Sequence, residues 1–341
     1  MKICQIVASY GDGGLEKHVV ELCNEMSKAE DVTLIAPTEM GNSLADTVHF
    51  IPMNFKRSRH NPFLLWDLLK ILRKEQFDIV HGQAGKAVML LAILRGLFPG
   101  KTVGTIHNNR VKRSGTFVDI SHIIAVSQGA KAVIKDNIPV TVVYNGIKPV
   151  NMENGFTKQQ LCEVFQLDVG KPLLCSIGRL VPAKGFDLLI EAFHNVDANL
   201  LIAGDGMERE ALQQQLNKLG LQDRVKLLGY RADIADILHG VDGVIIASRN
   251  EGFSYVFAEA LLQGKPIVST DVPVANEVLD AELLMETASE SMSLKLNELV
   301  FDPDRWTRLM MPAYHIAHEK FALSAMVSGT LDVYRKVMET Q

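Results

Sequence analysis

The sequence predicts an α/β protein made of two doubly wound parallel-sheet domains. Short apolar strands alternate with amphipathic helices. The alternation stops at a polar stretch, KPVNMENGFTKQQ (148–160), and begins afresh after it. The chain, at 341 residues, is also longer than one hydrophobic core supports. Its strands are apolar throughout rather than on alternate residues, which suits sheets covered on both faces.

In order, KICQIVA (2–8) reads as a strand and LEKHVVELCNEMSK (15–28) as a helix with Val19, Leu22, Cys23 and Met26 on one face. VTLIAP (32–37), DIVHG (78–82), KTVGTIH (101–107), HIIAVS (122–127) and PVTVVYNG (139–146) are further strands, mostly with helices between them. In the second half PLLCSIG (172–178), ANLLIAGDG (198–206), VKLLGY (225–230), VDGVIIAS (241–248) and KPIVST (265–270) are strands. GFDLLIEAFHNV (185–196) and MEREALQQQLNKLG (207–220), the latter closed by Gly220, are helices. The expected domains are 1–147 and 148–322, with a last helix, about 323–341, returning to the first. In such folds ligands bind at the carboxyl ends of the strands, and a cleft is expected where those ends of the two sheets face each other.

Composition excludes several classes. A hydrophobic content of 47% with 22% charged residues is that of a globular protein. The longest apolar run, AVMLLAILRGLF (87–98), is interrupted by Arg95 and falls short of the roughly 18–20 residues of a membrane span, so it reads as a buried helix. The amino terminus opens directly on a strand and a glycine loop, without a signal-peptide cleavage site, and a cytoplasmic location is expected. Cys4, Cys23, Cys162 and Cys175 form no paired motif and read as buried thiols.

The net charge of −5 hides a division: residues 1–150 hold 18 Lys+Arg against 13 Asp+Glu, and residues 151–341 hold 17 against 27. KRSRH (56–60, with Lys56, Arg57 and Arg59) and NNRVKR (108–113, with Arg110, Lys112 and Arg113) dominate the basic half. They suit either solvated loops or attraction to an anionic glycolipid or membrane surface. Nucleic acid is not an expected partner.

The first loop, SYGDGGLEKH (9–18), follows a strand and opens a helix, so its amides are free to cradle an anion. Gly11 and Gly13 fit the dinucleotide pattern GxGxxG, but Glu16 stands at its third glycine, against a dinucleotide-dependent oxidoreductase. In SIGRLVPAKGFDLLIEA (176–192), Arg179 and Lys184 place two cations at a sheet edge, as a diphosphate leaving group requires. In NEGFSYVFAEALLQGKPIV (250–268), Ser254 is placed to cap a helix, Glu251 lies in the turn before it, and Glu259 in its second turn. Two carboxylates flanking a helix amino end suit vicinal hydroxyls on either side of a phosphate: a ribose and a transferable hexose.

With these segments in hand, the chain resembles a retaining glycosyltransferase of the two-Rossmann (GT-B) type, family 4 (group 1). The resemblance runs over almost the whole length and rests on the order and spacing of GGLEKHV, GTIHN, IIAVS, VVYNGI, SIGRLVPAKGFDLLIEAF, LLIAGDGMEREAL, VKLLGYRADI and EGFSYVFAE. It implies that Arg179 and Lys184 bind the donor diphosphate and that Glu259 holds the ribose. Glu251, with the backbone of Gly252 and Phe253, would hold the sugar hydroxyls, with Ser254 and Tyr255 completing the donor set. Gly14 would approach the phosphate and acceptor, His107 the reacting end of the sugar, and Tyr230 and Arg231 the base. The family often has proline where this chain has Ser254, and a glycine pair within DVPVANE (271–277).

The activity so implied is retaining transfer from a nucleotide-diphosphate donor, expected to be a UDP-hexose or UDP-N-acetylhexosamine. The acceptor would be a bacterial envelope glycan or glycolipid, such as lipopolysaccharide core or a capsule precursor, met at the cytoplasmic face of the inner membrane. The leaving diphosphate would take the acceptor proton, so neither a side-chain base nor a metal is expected. DPD (302–304) and HIAH (315–318) are read as surface features. A glycosidase pair would need both acids across one bond, whereas here one is assigned to ribose. A nucleotide-sugar epimerase and a non-catalytic nucleotide-sugar binder remain as alternatives.

Overall fold

In the computed structural model the first unit runs β1 (Lys2–Val7), α1 (Gly14–Met26), β2 (Asp31–Ala36), β3 (His49–Pro52), α2 (Pro62–Glu75), β4 (Ile79–Gln83), α3 (Ala84–Leu94), β5 (Lys101–Ile106), β6 (His122–Ala125), α4 (Gln128–Ala132) and β7 (Val140–Val142). The structure describes residues 1–11, 13–107, 120–134, 137–148 and 155–339. The second unit runs α5 (Lys158–Phe165), β8 (Leu173–Ile177), α6 (Phe186–Ala192), β9 (Asn199–Ala203), α7 (Arg209–Leu219), β10 (Val225–Gly229), α8 (Ile234–Gly240), β11 (Gly243–Ile246), α9 (Tyr255–Leu262), β12 (Ile267–Thr270), α10 (Ala275–Val278), β13 (Leu284–Met285), α11 (Ser289–Val300) and α12 (Pro303–Lys320). The last helix, α13 (Leu323–Glu339), belongs to the first: that unit comprises Met1–Ile147 with Lys320–Gln341, and the second comprises Lys148–Glu319.

Both sheets are wholly parallel. Their orders are β3-β2-β1-β4-β5-β6-β7 and β10-β9-β8-β11-β12-β13, so each reverses direction once, between β1 and β4 and between β8 and β11. This is the doubly wound order the sequence predicts, and it opens a crevice beyond the carboxyl ends of those two central strands. The short β3, whose HFIP ends on proline, carries too weak an apolar signal to be read from sequence.

Strand alternation divides the first core in two. Ile3, Val7, Ile79 and Val103 face one way, onto Val19, Leu22 and Met26 of α1 and Met326, Leu331 and Tyr334 of α13. Cys4, Ile6 and Val80 face the other way, onto Leu68 and Leu72 of α2 and Leu90 and Leu91 of α3. Helix starts follow capping chemistry: Asn61 Oδ1 accepts from the amides of Phe63 and Leu64, both at 3.1 Å, with Pro62 as the first helical residue. All four cysteines are buried and free.

In the second unit a close approach between loops requires glycine. Gly204 has φ of 143°, and a Cβ there would stand 1.9 Å from the carbonyl oxygen of Gly178. That contact ties the loop after β9 to the loop after β8. Gly204→Ala is therefore expected to cost about 3 kcal/mol or more, measured as a lower midpoint in denaturant unfolding. A midpoint equal to that of the wild type would show that the two loops separate freely.

Candidate functional site

The reversal between β8 and β11 determines what meets in the second unit. Lys184 lies in the loop after β8 and Glu251 in the loop after β11, and the two form an ion pair. Glu251 is nearly enclosed, its side chain 10% exposed, and it also accepts a hydrogen bond from Ser248 Oγ at 2.8 Å. A carboxylate so enclosed needs such partners to offset lost hydration. Gly185, which begins α6 with φ of 67°, is pressed against β11: a Cβ there would lie 2.1 Å from the carbonyl oxygen of Ala247.

A second ion pair, absent from the sequence-level reading, fastens the same two loops. Arg249 forms a two-pronged bond with Asp187, both contacts at 2.7 Å, and its Nη1 also donates to the Pro182 carbonyl at 2.7 Å. Its amide donates to the Ala183 carbonyl at 2.8 Å. Arg249 thus holds the Pro182–Lys184 turn, and with it Lys184, against the turn carrying Glu251. Only the arginine–carboxylate fork geometry would have pointed to it, and sequence spacing does not show that geometry.

The other expected donor residues are distributed as follows. Ser254 caps α9, its Oγ accepting from the Phe257 amide at 3.4 Å. Phe253 and Tyr255 pack edge to face, ring centres 5.7 Å apart, and Gly252 lies half-buried beside them. Glu259 sits in the second turn of α9, half-buried. Arg179 is exposed; its carbonyl accepts from the Val181 amide at 2.8 Å, and among the described residues its guanidinium has no hydrogen bond or ion pair. Ser176, Phe186 and Ile245 pack closely about Lys184 and Glu251 in a shallow recess lined by neither Arg179 nor Glu259. Of the four expected donor residues, Lys184 and Glu251 are in direct contact, and Arg179 and Glu259 do not line the recess about that pair. After β10, Tyr230 is 80% exposed and Arg231 is ion-paired with Asp233.

Where the resemblance leads one to expect a glycine pair, the backbone keeps a glycine-like turn without the glycine. Val274, fully buried, has φ of 74° and ψ of −49°, the region of a strained γ-turn that costs a β-branched residue about 1–3 kcal/mol.

At the carboxyl ends of β4 and β5 the first unit places neutral polar side chains. Gly14, exposed, opens α1, and Glu16 folds back to accept from the Gly13 amide at 3.2 Å. His107, half-buried after β5, contacts Gln83 Oε1 through Nε2 at 2.9 Å and meets the His18 ring edge to face at 4.8 Å. Burial, followed by the nearby His18 and His81, holds His107 well below the ordinary histidine range, and burial takes His18 down to about 4. At neutral pH both rings are uncharged.

The basic cluster Lys56, Arg57 and Arg59 is exposed; Lys56 lies over the Tyr10 ring at 5.6 Å and Arg57 over the Phe63 ring at 5.8 Å. Arg110, Lys112 and Arg113 lie outside the described residues. Asp302 of DPD accepts from the Arg305 amide at 3.0 Å at the start of α12, and His315 of HIAH pairs with Glu319. Among the described residues no group of three or more His, Cys, Asp or Glu is placed to hold a metal.

Two parallel doubly wound units, each with its polar residues at the reversal of strand order, define the GT-B architecture of sugar-transferring enzymes. A family model described as glycosyl transferases group 1 matches residues 158–311, and one described as glycosyltransferase family 4 matches residues 12–150. Together the two take in most of the chain, which belongs to the group 1, family 4 glycosyltransferases. The lipopolysaccharide core biosynthesis glycosyltransferase LpsD of Rhizobium meliloti is 24% identical over 343 residues, covering 95% of each chain. LpsE of the same organism, with the same described role, is 26% identical over 333 residues, covering 94% of this chain and 96% of its own. Among solved structures, HepE of Anabaena in complex with UDP has the same fold, with a TM-score of 0.85 at 21% identity over 98% of this chain and all of that one.

The Arg249–Asp187 pair gives a pH-dependent prediction. Bonds from Arg249 hold the Asp187 carboxyl below its ordinary value of 3.8. A depressed carboxyl contributes stability above its unfolded pKa and loses it as pH falls through the folded one. Arg249→Met is therefore expected to lower stability at pH 7 by about 1 kcal/mol, a modest figure because the pair is partly solvated. The deficit should shrink as pH drops below about 4. Thermal melts of both proteins across that range test this; a deficit that does not vary with pH would contradict it.

Proposed function

We propose that this glycosyltransferase transfers a hexose or N-acetylhexosamine from a UDP-sugar, with retention and without a metal, to an envelope glycolipid such as lipopolysaccharide core. The observation that carries the donor half is the Lys184–Glu251 contact at the reversal of the second sheet. Lys184, held by its partner and by the Arg249 clamp, is oriented before any ligand arrives, so little reorganisation opposes diphosphate binding. The guanidinium of Arg179, exposed and without a protein partner among the described residues, is available to the outer phosphate oxygens.

In this reading Glu251 and the Gly252–Phe253 backbone accept and donate to the sugar hydroxyls, while Glu259 holds the ribose. Tyr230 and Arg231 border the base. Gly14 approaches the phosphate, and His107 meets the sugar. As the bond to the anomeric carbon breaks, negative charge grows on the diphosphate, where Lys184, Arg179 and the α9 amides stabilise it most strongly. The acceptor hydroxyl enters on the face the diphosphate leaves and passes its proton to it.

The UDP preference is supported by the fold shared with HepE, whose structure holds UDP, and the acceptor class by the described roles of LpsD and LpsE. Melting of the wild type is expected to rise with UDP, in line with ligand binding only the folded state, and to rise far less in Lys184→Ala. UDP release should accelerate on adding acceptor. Conversion of the donor alone would identify an epimerase instead, and equal shifts in both proteins would remove Lys184 from the site.

We further place this enzyme at the cytoplasmic face of the inner membrane, as a peripheral protein. Among the described residues no helix is long and apolar enough to cross a membrane. Instead α2 exposes Phe63 and Trp66, 68% and 54% exposed, with Arg57 and Lys70 lying over their rings. Aromatic rings ringed by cations suit the headgroup layer of an anionic bilayer. Replacing Lys56, Arg57 and Arg59 by glutamate should weaken binding to phosphatidylglycerol vesicles roughly a hundredfold, taking about 1 kcal/mol per basic residue. The UDP-induced melting shift should be unaltered. Unchanged vesicle binding would remove this surface from the account.

A further inference from the structure

Strand alternation puts five polar side chains on one face of the first sheet. Gln5 shares the inner face with Ile3 and Val7, His81 and Gln83 with Ile79, and Thr105 with Val103, and His107 follows two residues after Thr105. That face is the one α13 covers, and α13 contributes Tyr334 at its centre. Gln5, His81, Gln83 and Thr105 are all at most 2% exposed. Such groups must bond to one another, and they do so in a line.

The directions along that line are determined once the amides are placed. Gln83 Nε2 donates to Gln5 Oε1 at 3.0 Å, and Gln5 Nε2 donates to Tyr334 Oη at 2.7 Å. Having accepted from Gln5, Tyr334 gives its own proton to His81 Nδ1 at 2.6 Å. His81 must then carry its proton on Nε2, which donates to Thr105 Oγ1 at 2.6 Å. At the other end, Gln83 presents its carbonyl oxygen to His107 Nε2 at 2.9 Å, and an oxygen there can only accept. Five hydrogen bonds thus point the same way, from His107 to Thr105, and each polarises the next. Burial, with His18 nearby, takes His81 down to about 3, in keeping with its neutral form.

We propose that Gln83, itself held by Gln5 and Tyr334, is a positioning residue that fixes the proton of the His107 ring on Nε2. The Nδ1 lone pair is then left to accept a hydrogen bond from a hydroxyl of the bound sugar. His107 on this account receives a substrate O–H and does not protonate the leaving group. Backbone strain next to the relay supports its fixed geometry: Ala84, directly after Gln83, has φ of 63°, a left-handed conformation that non-glycine residues adopt mostly where the surroundings impose it. The role given to His107 rests on the glycosyltransferase reading above; the tautomer does not.

The test uses the full chain labelled with 15N-histidine and long-range 1H–15N spectra, which report which ring nitrogen carries the proton. The wild type is expected to show His107 protonated on Nε2, and both Gln83→Leu and Tyr334→Phe a mixture of the two tautomers. Tyr334→Phe, which removes one oxygen, guards against a folding failure of Gln83→Leu. In donor turnover both variants should lose about tenfold in kcat, the weight of one oriented hydrogen bond, with KM for the donor nearly unchanged. A wild-type His107 protonated on Nδ1, or variants that leave the tautomer unmoved, would overturn the proposal. So would a wild type that turns over nucleotide sugar while Gln83→Leu keeps full kcat. A wild type inert to every nucleotide sugar would overturn the transfer reading instead, and the spectra would still decide for or against Gln83.

Discussion

The reversal of strand order at the middle of each sheet is the constraint from which the rest follows. Where β8 gives way to β11, two segments of the chain leave adjacent strands and cross to opposite faces, so their loops begin side by side and then part. Lys184 and Glu251, separated by 67 residues, meet in that gap. The glycine at position 185 and the Arg249–Asp187 fork are consequences of the same closeness: one removes the side chain that would hold the loops apart, and the other bonds them. In the first unit β1 and β4 part in the same manner, and there Gln5, His81 and Gln83 line up.

The two units solve the problem of placing polar groups at a sheet edge by different electrostatic means. The second uses full charges that neutralise each other, Lys184 with Glu251 and Arg249 with Asp187, so that little net field is buried. The first uses imidazoles and amides that burial keeps neutral, joined by oriented dipoles. An ionic edge can exchange partners with an incoming anion. A dipolar edge reads the direction of a hydrogen bond.

Most of the fold was legible because each strand carries its own apolar run and each helix its own periodicity. Ser254 and Glu251 were legible too, since a serine before an apolar run and an acid in the preceding turn are local signals. Long-range pairings were not. Nothing local marks Asp187 as the partner of Arg249, or Tyr334 as the residue that fills the centre of a sheet face begun at Lys2. The expectation that Arg179 and Lys184 act as a matched pair of cations came from their nearness in sequence. In the fold, Lys184 turns inward to Glu251 while Arg179 stands exposed. The glycine pair missing from 271–277 shows the opposite case, because Val274 adopts the turn that the composition there argues against.

The placement of α13 has a bearing on biosynthesis. Its apolar face seals a core whose other members run from Ile3 to Val143, and the contact between Gln5 and Tyr334 spans 329 residues. A ribosome must therefore deliver nearly the whole polypeptide before the opening segment is covered, while the contiguous stretch from 148 to 319 emerges with all its partners in hand. The later-made half can close first, contrary to the usual vectorial order. The early half waits with greasy surface bare, and is the portion most in need of a chaperone.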